Sequence, residues 1–280
     1  MAVQLTVLGS GSSGNSAYLE TDEARLLIDA GLSTRQIRQR LLSIGRAPES
    51  LTGILITHEH TDHTQGLSVL AAKLQIPVYC NRLTKEAIET QVQARLDFRL
   101  FATGASFELG DVQVDTFSVP HDAYDPVGFL VRSAAGNLGF LTDLGYATKL
   151  VIERVRCAHV LLLETNHDVK LLQEDTRRPW SIKQRILSRH GHLSNEAAAE
   201  VAGQIVTADL RQLYLAHLSA DCNRPELAQR VVGEALQKVG AGHVRLETAC
   251  QDKPCQTFAL KASSVADSTS ESVPPAPVVA

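Results

Sequence analysis

The stretch ILITHEHTDHTQG, residues 54–66, decides how the chain folds and what it binds. It places His58, His60, Asp62 and His63 directly after an apolar run. In an extended chain His58 and His60 project to the same side, while Asp62 and His63 begin a helix and point across the same space. Because His-x-His pairs also occur in surface loops, this spacing predicts a metal site only if the rest of the chain supplies further ligands.

Further metal-binding side chains follow the ends of other strand-like runs. His121 follows TFSVP, Asp143 follows GFLT and His217 follows LYLA. In open α/β sheets, sites form at the carboxyl ends of strands. Neutral imidazoles and a few carboxylates suit zinc, which leaves a position open when the site is catalytic. The sequence therefore predicts one metal site built from His58, His60, Asp62, His63, His121, Asp143 and His217.

The composition is that of an ordinary globular protein. The 280 residues are 44% hydrophobic and 21% charged, and nowhere do about 18 apolar residues follow one another. The first residues contain no basic leader, which predicts a cytoplasmic protein without a membrane span. The five cysteines form no C-x-x-C pair and predict reduced thiols. A net charge of −4 counts against a protein coated with basic charge.

Apolar β-rich runs alternate with helical patterns along the chain. The predicted strands are VQLTVLG, AYLE, ARLLIDAG, LTGILIT, VQVDTFSV, VGFLVRS, GNLGFLT, AHVLLLE and RQLYLAH, and the predicted helices cover residues 33–43, 64–74, 82–91, 147–155, 181–188, 195–207 and 225–239. This order predicts mixed sheets with helices outside, hence an α/β sandwich in a single domain over residues 1–261. Residues 262–280 are rich in Ser, Pro and Ala and predict a disordered tail.

The glycines of LGSGSSGNS, residues 8–16, have the G-x-G-x-x-G spacing of a dinucleotide-binding turn. That motif requires a helix next, so that a pyrophosphate can lie at its N-terminus. The following residues instead read as a hairpin. We therefore interpret the loop as a tight turn that lets the backbone pass close to a site.

These residues resemble a known family. HEHTDH, with His121, Asp143 and His217 downstream, resembles the H-x-H-x-D-H signature and later motifs of the metallo-β-lactamase (MBL) superfamily, and LLIDAG resembles its early Asp motif. Within it, GSGSSGNS, ETNHD and LAHLS are similar to the YycJ/WalJ branch of bacterial nucleases. GHLSNEAA also resembles a Gly-His-x-Ser segment of ribonuclease J-type nucleases, but the chain has no room for their β-CASP insert, which leaves RNA a doubtful substrate.

The resemblance implies an αββα sandwich with a binuclear site for two divalent metal ions, zinc or manganese. His58, His60 and His121 would hold one metal, and Asp143 would bridge to the other. The ligands of the second metal would be Asp62, His63 and His217. Asp29 would be a structural acid near the site. Two such metals would make hydroxide available near neutral pH and clamp both oxygens of an in-line displacement.

Two further residues are candidates for catalysis together with Asp62. Glu164 ends AHVLLLE and either accepts an N–H from a ligand imidazole or is an exposed acid at a strand end. His192 and Ser194 precede a helix that starts near Asn195, with Ser194 at the N-cap position. The bland interpretation is a capped turn. In the sharper one, His192 protonates the leaving oxygen while the helix N-terminus binds phosphate.

The segment RRPWSIKQRILSRHGH, residues 177–192, carries basic residues without an acidic one. Charge runs are often solvated helix faces, and a lone tryptophan is more often part of the core. Placed directly before His192, however, arginines could grip backbone phosphates and Trp180 could stack on a terminal base. The predicted substrate-binding residues are Arg177, Arg178, Trp180, Arg185 and Ser194.

The sequence thus predicts a binuclear metal-dependent phosphodiesterase, and the resemblance implies a DNA exonuclease that acts on double-stranded DNA from a 5′ end. One alternative is an MBL-fold hydrolase of a small ester, lactone, thioester or cyclic phosphodiester. Another is a non-enzymatic nucleic-acid-binding protein with a structural zinc. The basic segment counts against the first alternative. The number of carboxylate ligands beyond a closed four-ligand site counts against the second. Protein partners cannot be read from the sequence.

Overall fold

Strands and helices occupy most of residues 2–261, the part of the chain that this computed structural model describes. The predicted tail, residues 262–280, lies outside the described residues. The strands are β1 (Ala2–Gly9), β2 (Ser16–Glu20), β3 (Arg25–Ile28), β4 (Gly53–Leu55), β5 (Val78–Cys80), β6 (Phe98–Leu100), β7 (Ser106–Leu109), β8 (Val112–Ser118), β9 (Val127–Ser133), β10 (Gly136–Leu141), β11 (Val160–Glu164), β12 (Gln212–Ala216), β13 (Arg245–Thr248) and β14 (Phe258–Lys261).

Most of the helices follow the predicted positions closely. They are α1 (Thr34–Ser43), α2 (Thr61–Thr64), α3 (Leu70–Leu74), α4 (Arg82–Gln91), α5 (Lys149–Val155), α6 (Val169–Glu174), α7 (Trp180–Ile186), α8 (Asn195–Ile205) and α9 (Pro225–Lys238), and a 3-10 helix covers Pro48–Ser50. The predicted helix over residues 64–74 is wrong as a single element, because Gly66 N donates to Ala30 O and the chain between α2 and α3 packs against the strand ends. Helix α6 was not predicted.

The strands form two seven-stranded mixed sheets. Their orders are β14-β1-β2-β3-β4-β5-β6 and β13-β12-β11-β10-β9-β8-β7. Strands β3 to β6 run parallel in the first sheet, and β10 to β13 run parallel in the second. Carboxyl ends of parallel strands meet at the same edge of a sheet, so the residues that follow β3, β4, β10, β11 and β12 are brought to the sheet edges.

Because buried side chains point to both faces of these strands, each sheet packs against the other sheet on one face and against helices on the other. The layers are therefore helices, sheet, sheet and helices. In β11, Leu161 and Leu163 pack with helices α5, α8 and α9, whereas Val160 and Leu162 point into the space between the sheets. Leu27 in β3 packs with α1 and the neighbouring helices of the first sheet. Burying each such side chain contributes about 1.5–3 kcal/mol. The predicted αββα sandwich in one domain is confirmed.

No helix in residues 2–261 is both long enough and apolar enough to span a membrane. Three residues with positive φ mark the site edge of the sheets. Asp29 (φ 60°) follows β3, Asp143 (φ 55°) lies two residues after β10, and His217 (φ 55°) follows β12. Left-handed backbone is uncommon in residues with a Cβ, and such residues cluster where a fold holds side chains in a required direction.

Candidate metal centre

A first cluster contains three histidines from two connections. His58 and His60 lie between β4 and α2, and His121 follows β8. His58 Nε2 lies 2.9 Å from His60 Nδ1, which in turn is 3.4 Å from His121 Nε2. One ring nitrogen from each residue lies within 4.8 Å of the others, a spacing at which all three can surround one ion.

A second cluster contains Asp62, His63 and His217. Asp62 Oδ2 lies 3.5 Å from His63 Nε2 and 3.3 Å from His217 Nε2. Between the clusters is Asp143, whose Oδ2 is 3.0 Å from His63 Nε2 and whose Oδ1 is 3.7 Å from His121 Nε2. The structure thus brings together all of the sequence-predicted metal ligands, in two groups that meet at Asp143.

The imidazole orientations fit a pair of divalent cations. His63 Nδ1 faces Asp29 Oδ2 at 2.8 Å, and His217 Nδ1 faces Glu164 Oε1 at 2.9 Å. These acceptors fix the proton on Nδ1 and turn the lone pair of each Nε2 toward carboxylates in the cluster. Asp143 Oδ2, which is buried, has no hydrogen-bond donor among the described residues. Electron pairs that converge in a buried space repel one another unless positive charge lies between them, and the N and O donors here suit zinc or manganese.

The pKa values of the cluster have the same electrostatic origin. Burial lowers the pKa of His58 well below its ordinary value, and nearby His63 lowers it further. For Asp143, burial raises the pKa, but His217 and His63 outweigh burial and hold it well below the ordinary value. For His217, burial lowers the pKa, but the Asp143 and Asp62 carboxylates outweigh burial and raise it. In the absence of metal, protons supply the positive charge, so metal binding would displace them.

Glu164 is fully buried, which excludes the interpretation as an exposed strand-end acid. Its Oε1 accepts from His192 Nδ1 at 2.7 Å and from His217 Nδ1, while Oε2 accepts from Leu144 N at 2.8 Å. Burial raises the pKa of Glu164, but the contacts with His192 and His217 lower it to about 2. His192 is therefore held through Nδ1, and its Nε2 remains for the cleft that it lines.

The glycine loop contributes residues that the sequence did not single out. Asn15 N donates to Asp62 O at 2.8 Å, and Asn15 Nδ2 lies 3.2 Å from His63 Nε2. The hydroxyl of Ser10 accepts from His217 N at 2.8 Å. A Cβ at Gly14 of the loop would lie 2.5 Å from Gly31 O, so only glycine lets these two backbone segments approach. The interpretation of the loop as a close backbone approach agrees with this geometry, although no local signal identifies Asn15.

The cleft has a volume of about 380 Å³, and Arg178 and Arg185 line it together with metal-cluster residues. Arg178 and Arg185 form the basic wall of the cleft. Carboxylates from outside the basic segment neutralise the charge of this wall. Arg178 forms ion pairs with Asp175 and Asp221, and Arg185 with Asp122. The segment is therefore basic in sequence but largely compensated in three dimensions.

Other predicted substrate-binding residues do not line this cleft. Arg177 is paired with Asp175 and Asp221 at 3.0 Å. Trp180 begins α7 with 60% of its surface exposed, so it is not a core residue. Ser194 caps α8, where its hydroxyl accepts from Ala197 N at 3.1 Å. A role for these three side chains in substrate binding stays a prediction.

The chain is similar to proteins of known family. Residues 24–218 match the family described as the Beta-lactamase superfamily domain. Exodeoxyribonuclease YycJ of Bacillus anthracis is 40% identical over 244 residues, which cover 86% of this chain and 92% of that protein. Exodeoxyribonuclease WalJ of Streptococcus pneumoniae is 40% identical over 241 residues, covering 85% of this chain and 89% of that protein.

Among solved structures, the metallo-β-lactamase fold protein YhfI from Bacillus subtilis superimposes with a TM-score of 0.71. The match covers 91% of this chain and 99% of that one at 15% sequence identity. At such low identity the likeness bears on the fold alone.

Proposed function

The chain belongs to the metallo-β-lactamase superfamily, and on that premise we propose that it is a metal-dependent exodeoxyribonuclease that degrades double-stranded DNA from a 5′ end. The observation that carries the proposal is the meeting of two metal-binding clusters at Asp143 in a cleft that arginines also line. The 40% identity to YycJ and WalJ, both exodeoxyribonucleases, supports DNA as the substrate.

His58, His60 and His121 would hold one divalent metal, and Asp143 would bridge to the second. The second metal would also be held by Asp62, His63 and His217. When bound, the two metals supply the Lewis acidity and the activated water that phosphodiester hydrolysis requires near neutral pH. The side chains of Asp29 and Glu164 keep two of the ligand imidazoles in the orientation that leaves Nε2 unprotonated.

In this proposal His192 acts as the general acid. Because Glu164 accepts its Nδ1–H at 2.7 Å, the ring is fixed and Nε2 is the atom that carries a proton to the leaving oxygen. Arg178 and Arg185 offer guanidinium N–H donors at the same cleft, where phosphate oxygens of the strand would compete with their Asp partners. The chain's own residues thus orient the phosphodiester and protonate the departing strand.

The proposal is tested with metal-free protein that is reconstituted with zinc or manganese. The substrates are 5′-phosphorylated duplex DNA, RNA of the same sequence, a cyclic dinucleotide and a lactone. We expect stepwise shortening of the duplex from its 5′ ends, abolished in Asp62→Asn and retained in Asp209→Asn, a matched change at an exposed acid away from the cleft. Turnover of the lactone or the cyclic dinucleotide without any DNA degradation would overturn the proposal in favour of a small-molecule hydrolase.

A further inference from the structure

A second cavity opens beside the metal centre and shares one wall with it. This groove has a volume of about 740 Å³, within the range of pockets that hold organic ligands. His121 lines both the groove and the metal cleft. Around it the groove is lined by Tyr124, Tyr146, Leu150, Arg189 and His190.

Two of these side chains present apolar surface that no other part of residues 2–261 covers. Tyr124 is 71% exposed and Leu150 is 54% exposed. The position of Tyr124 is nevertheless fixed, because its backbone N–H donates to Glu59 Oε1 at 3.0 Å, and Glu59 lies between the ligands His58 and His60. An exposed aromatic ring on an anchored backbone is suited to stacking on a flat ring.

Arg189 differs from the other cations of the basic segment. Arg177, Arg178 and Arg185 each have an aspartate partner, and Lys183 Nζ donates to Gln173 O at 2.7 Å. Within residues 2–261, Arg189 has no carboxylate partner, and its guanidinium lies 4.2 Å from the centre of the Tyr146 ring. Stacking leaves the N–H edges of the guanidinium available for an anion.

The backbone ties the groove rigidly to the metal centre. Asp122 N donates to His190 O at 3.1 Å, directly after His121, and Gly145 N donates to Pro120 O at 2.9 Å. His121 Nδ1 donates to Gly191 O at 3.1 Å. The carboxylate of Asp125, which also lines the groove, accepts from Thr103 Oγ1 at 2.7 Å. Asp125 keeps its negative charge, because a hydroxyl donor does not neutralise a carboxylate, and Arg189 is the arginine of the groove that has no carboxylate partner within residues 2–261.

From these contacts we infer that the groove binds an unpaired nucleotide of the DNA strand next to the scissile phosphodiester. Its base packs against Tyr124 and Leu150, and its phosphate meets the free edge of Arg189. The shared wall at His121 places this nucleotide next to the one at the metals. This inference rests on the proposed function, and it identifies the nucleotide that the groove binds beside the metal centre.

The test measures binding of 5′-phosphorylated DNA with unpaired ends and phosphorothioate linkages that resist hydrolysis, by fluorescence anisotropy with the metal-loaded protein. Since stacking of a base on an aromatic ring contributes about 1–3 kcal/mol, Tyr124→Ala should raise the Kd about 5- to 150-fold. The binding constant K falls as the salt concentration rises. Arg189→Ala should make the slope of log K against log salt less steep by about 0.7–0.9. Controls are Leu42→Ala and Arg38→Ala, exposed positions on α1 outside the groove, Arg38 being paired with Glu49.

A scan of abasic nucleotides along the unpaired end makes the test specific for a base. In the unchanged protein, loss of one particular base should raise the Kd as much as Tyr124→Ala does, and in Tyr124→Ala the same loss should add little. If loss of that base raises the Kd equally in both proteins, the groove inference is wrong. It is also wrong if both groove variants keep the Kd and salt slope of the unchanged protein. In either case the proposed function stands as long as duplex DNA is still degraded. If the unchanged protein neither binds nor degrades DNA, the proposed function fails and the groove inference with it.

Discussion

Three imidazoles of the candidate metal centre have a hydrogen-bond acceptor on the nitrogen that faces away from the cluster. His63 uses Asp29, His217 uses Glu164, and His121 uses Gly191 O. These acceptors come from different elements, so the orientation of every ring depends on the folded chain. His192 shares Glu164 with His217 but lies 22% exposed, whereas His217 is only 4% exposed. The same carboxylate therefore serves one buried ligand and one residue that faces the cleft.

At this scale we expect His192→Ala to separate catalysis from metal binding. A general acid contributes in the transition state without holding metal, so kcat should fall about 10²–10⁴-fold while metal content and Tm stay unchanged. KM should change little. The loss should shrink on a nitrophenyl phosphodiester, because a nitrophenolate leaves without a proton. His243→Ala, at an exposed histidine, is the matched control.

Metal analysis and steady-state kinetics on both substrates decide the role of His192. Loss of metal from His192→Ala would show a ligand. The same loss of rate on all leaving groups, whatever their pKa, would show a structural residue.

Among the elements, helix α7 and the turn before it carry the basic wall of the cleft. Its arginines are compensated by aspartates far away in sequence, such as Asp122 for Arg185 and Asp221 for Arg178. A surface ion pair of this kind contributes only about 0–1 kcal/mol, so a phosphate can displace the aspartate. Under the proposed function, DNA phosphates would therefore bind this wall although its net charge is small.

Replacing Arg178 and Arg185 together by alanine should weaken DNA binding and lower its salt slope by about one unit for each phosphate that the wall no longer binds. Hydrolysis of a nitrophenyl phosphodiester should fall less than hydrolysis of DNA, because the small substrate has no strand beyond the cleft. Binding titrations at several salt concentrations measure the slope, with Arg38→Ala as the control. Equal losses on both substrates would mean that this element is structural.

The whole molecule is needed to assemble the metal centre. The ligands that follow β4 come from the first sheet, and those that follow β8, β10 and β12 come from the second. Packing of the two sheets through Leu26, Phe129, Leu162 and other buried side chains between them therefore sets the distance between the ligand groups. Metal binding would in turn tie the two sheets together.

We expect metal-free protein to take up close to two divalent ions per chain, with a rise in Tm. Metal that binds only the folded state adds about 2.7 kcal/mol to the free energy of unfolding when its free concentration is 100 times Kd. His58→Ala should lose mainly one ion, whereas Asp143→Asn should disturb both, because Asp143 lies between the clusters. Elemental analysis and thermal unfolding measure these effects, and Asp209→Asn is the control. A single tightly held ion that is unchanged in Asp143→Asn would contradict the binuclear centre.

The sequence by itself determined the elements and the candidate ligands. Alternating apolar runs indicated the main strands, and Asn81, which accepts from Thr84 N, marks the start of α4 where it was predicted. The H-x-H-x-D-H spacing and the residues after the strands are local patterns. They can be recognised in the sequence without knowing how the chain packs. The strands β5 and β6, of three residues each, escaped because such short runs have no period to detect, whereas the equally short β4 lies in the longer predicted run LTGILIT.

Only the tertiary structure decided which charges are neutralised by a partner and how the site side chains are oriented. Asp122 and Arg185 are 63 positions apart, so nothing in the basic segment shows that its charge is neutralised. Asn15 reaches Asp62 across 47 positions, and Arg189 lies on Tyr146 beside an open groove that no motif marks. Hydrogen bonds and ion pairs act over a few ångströms, and it is the packing of two sheets that brings distant parts of the chain within that range.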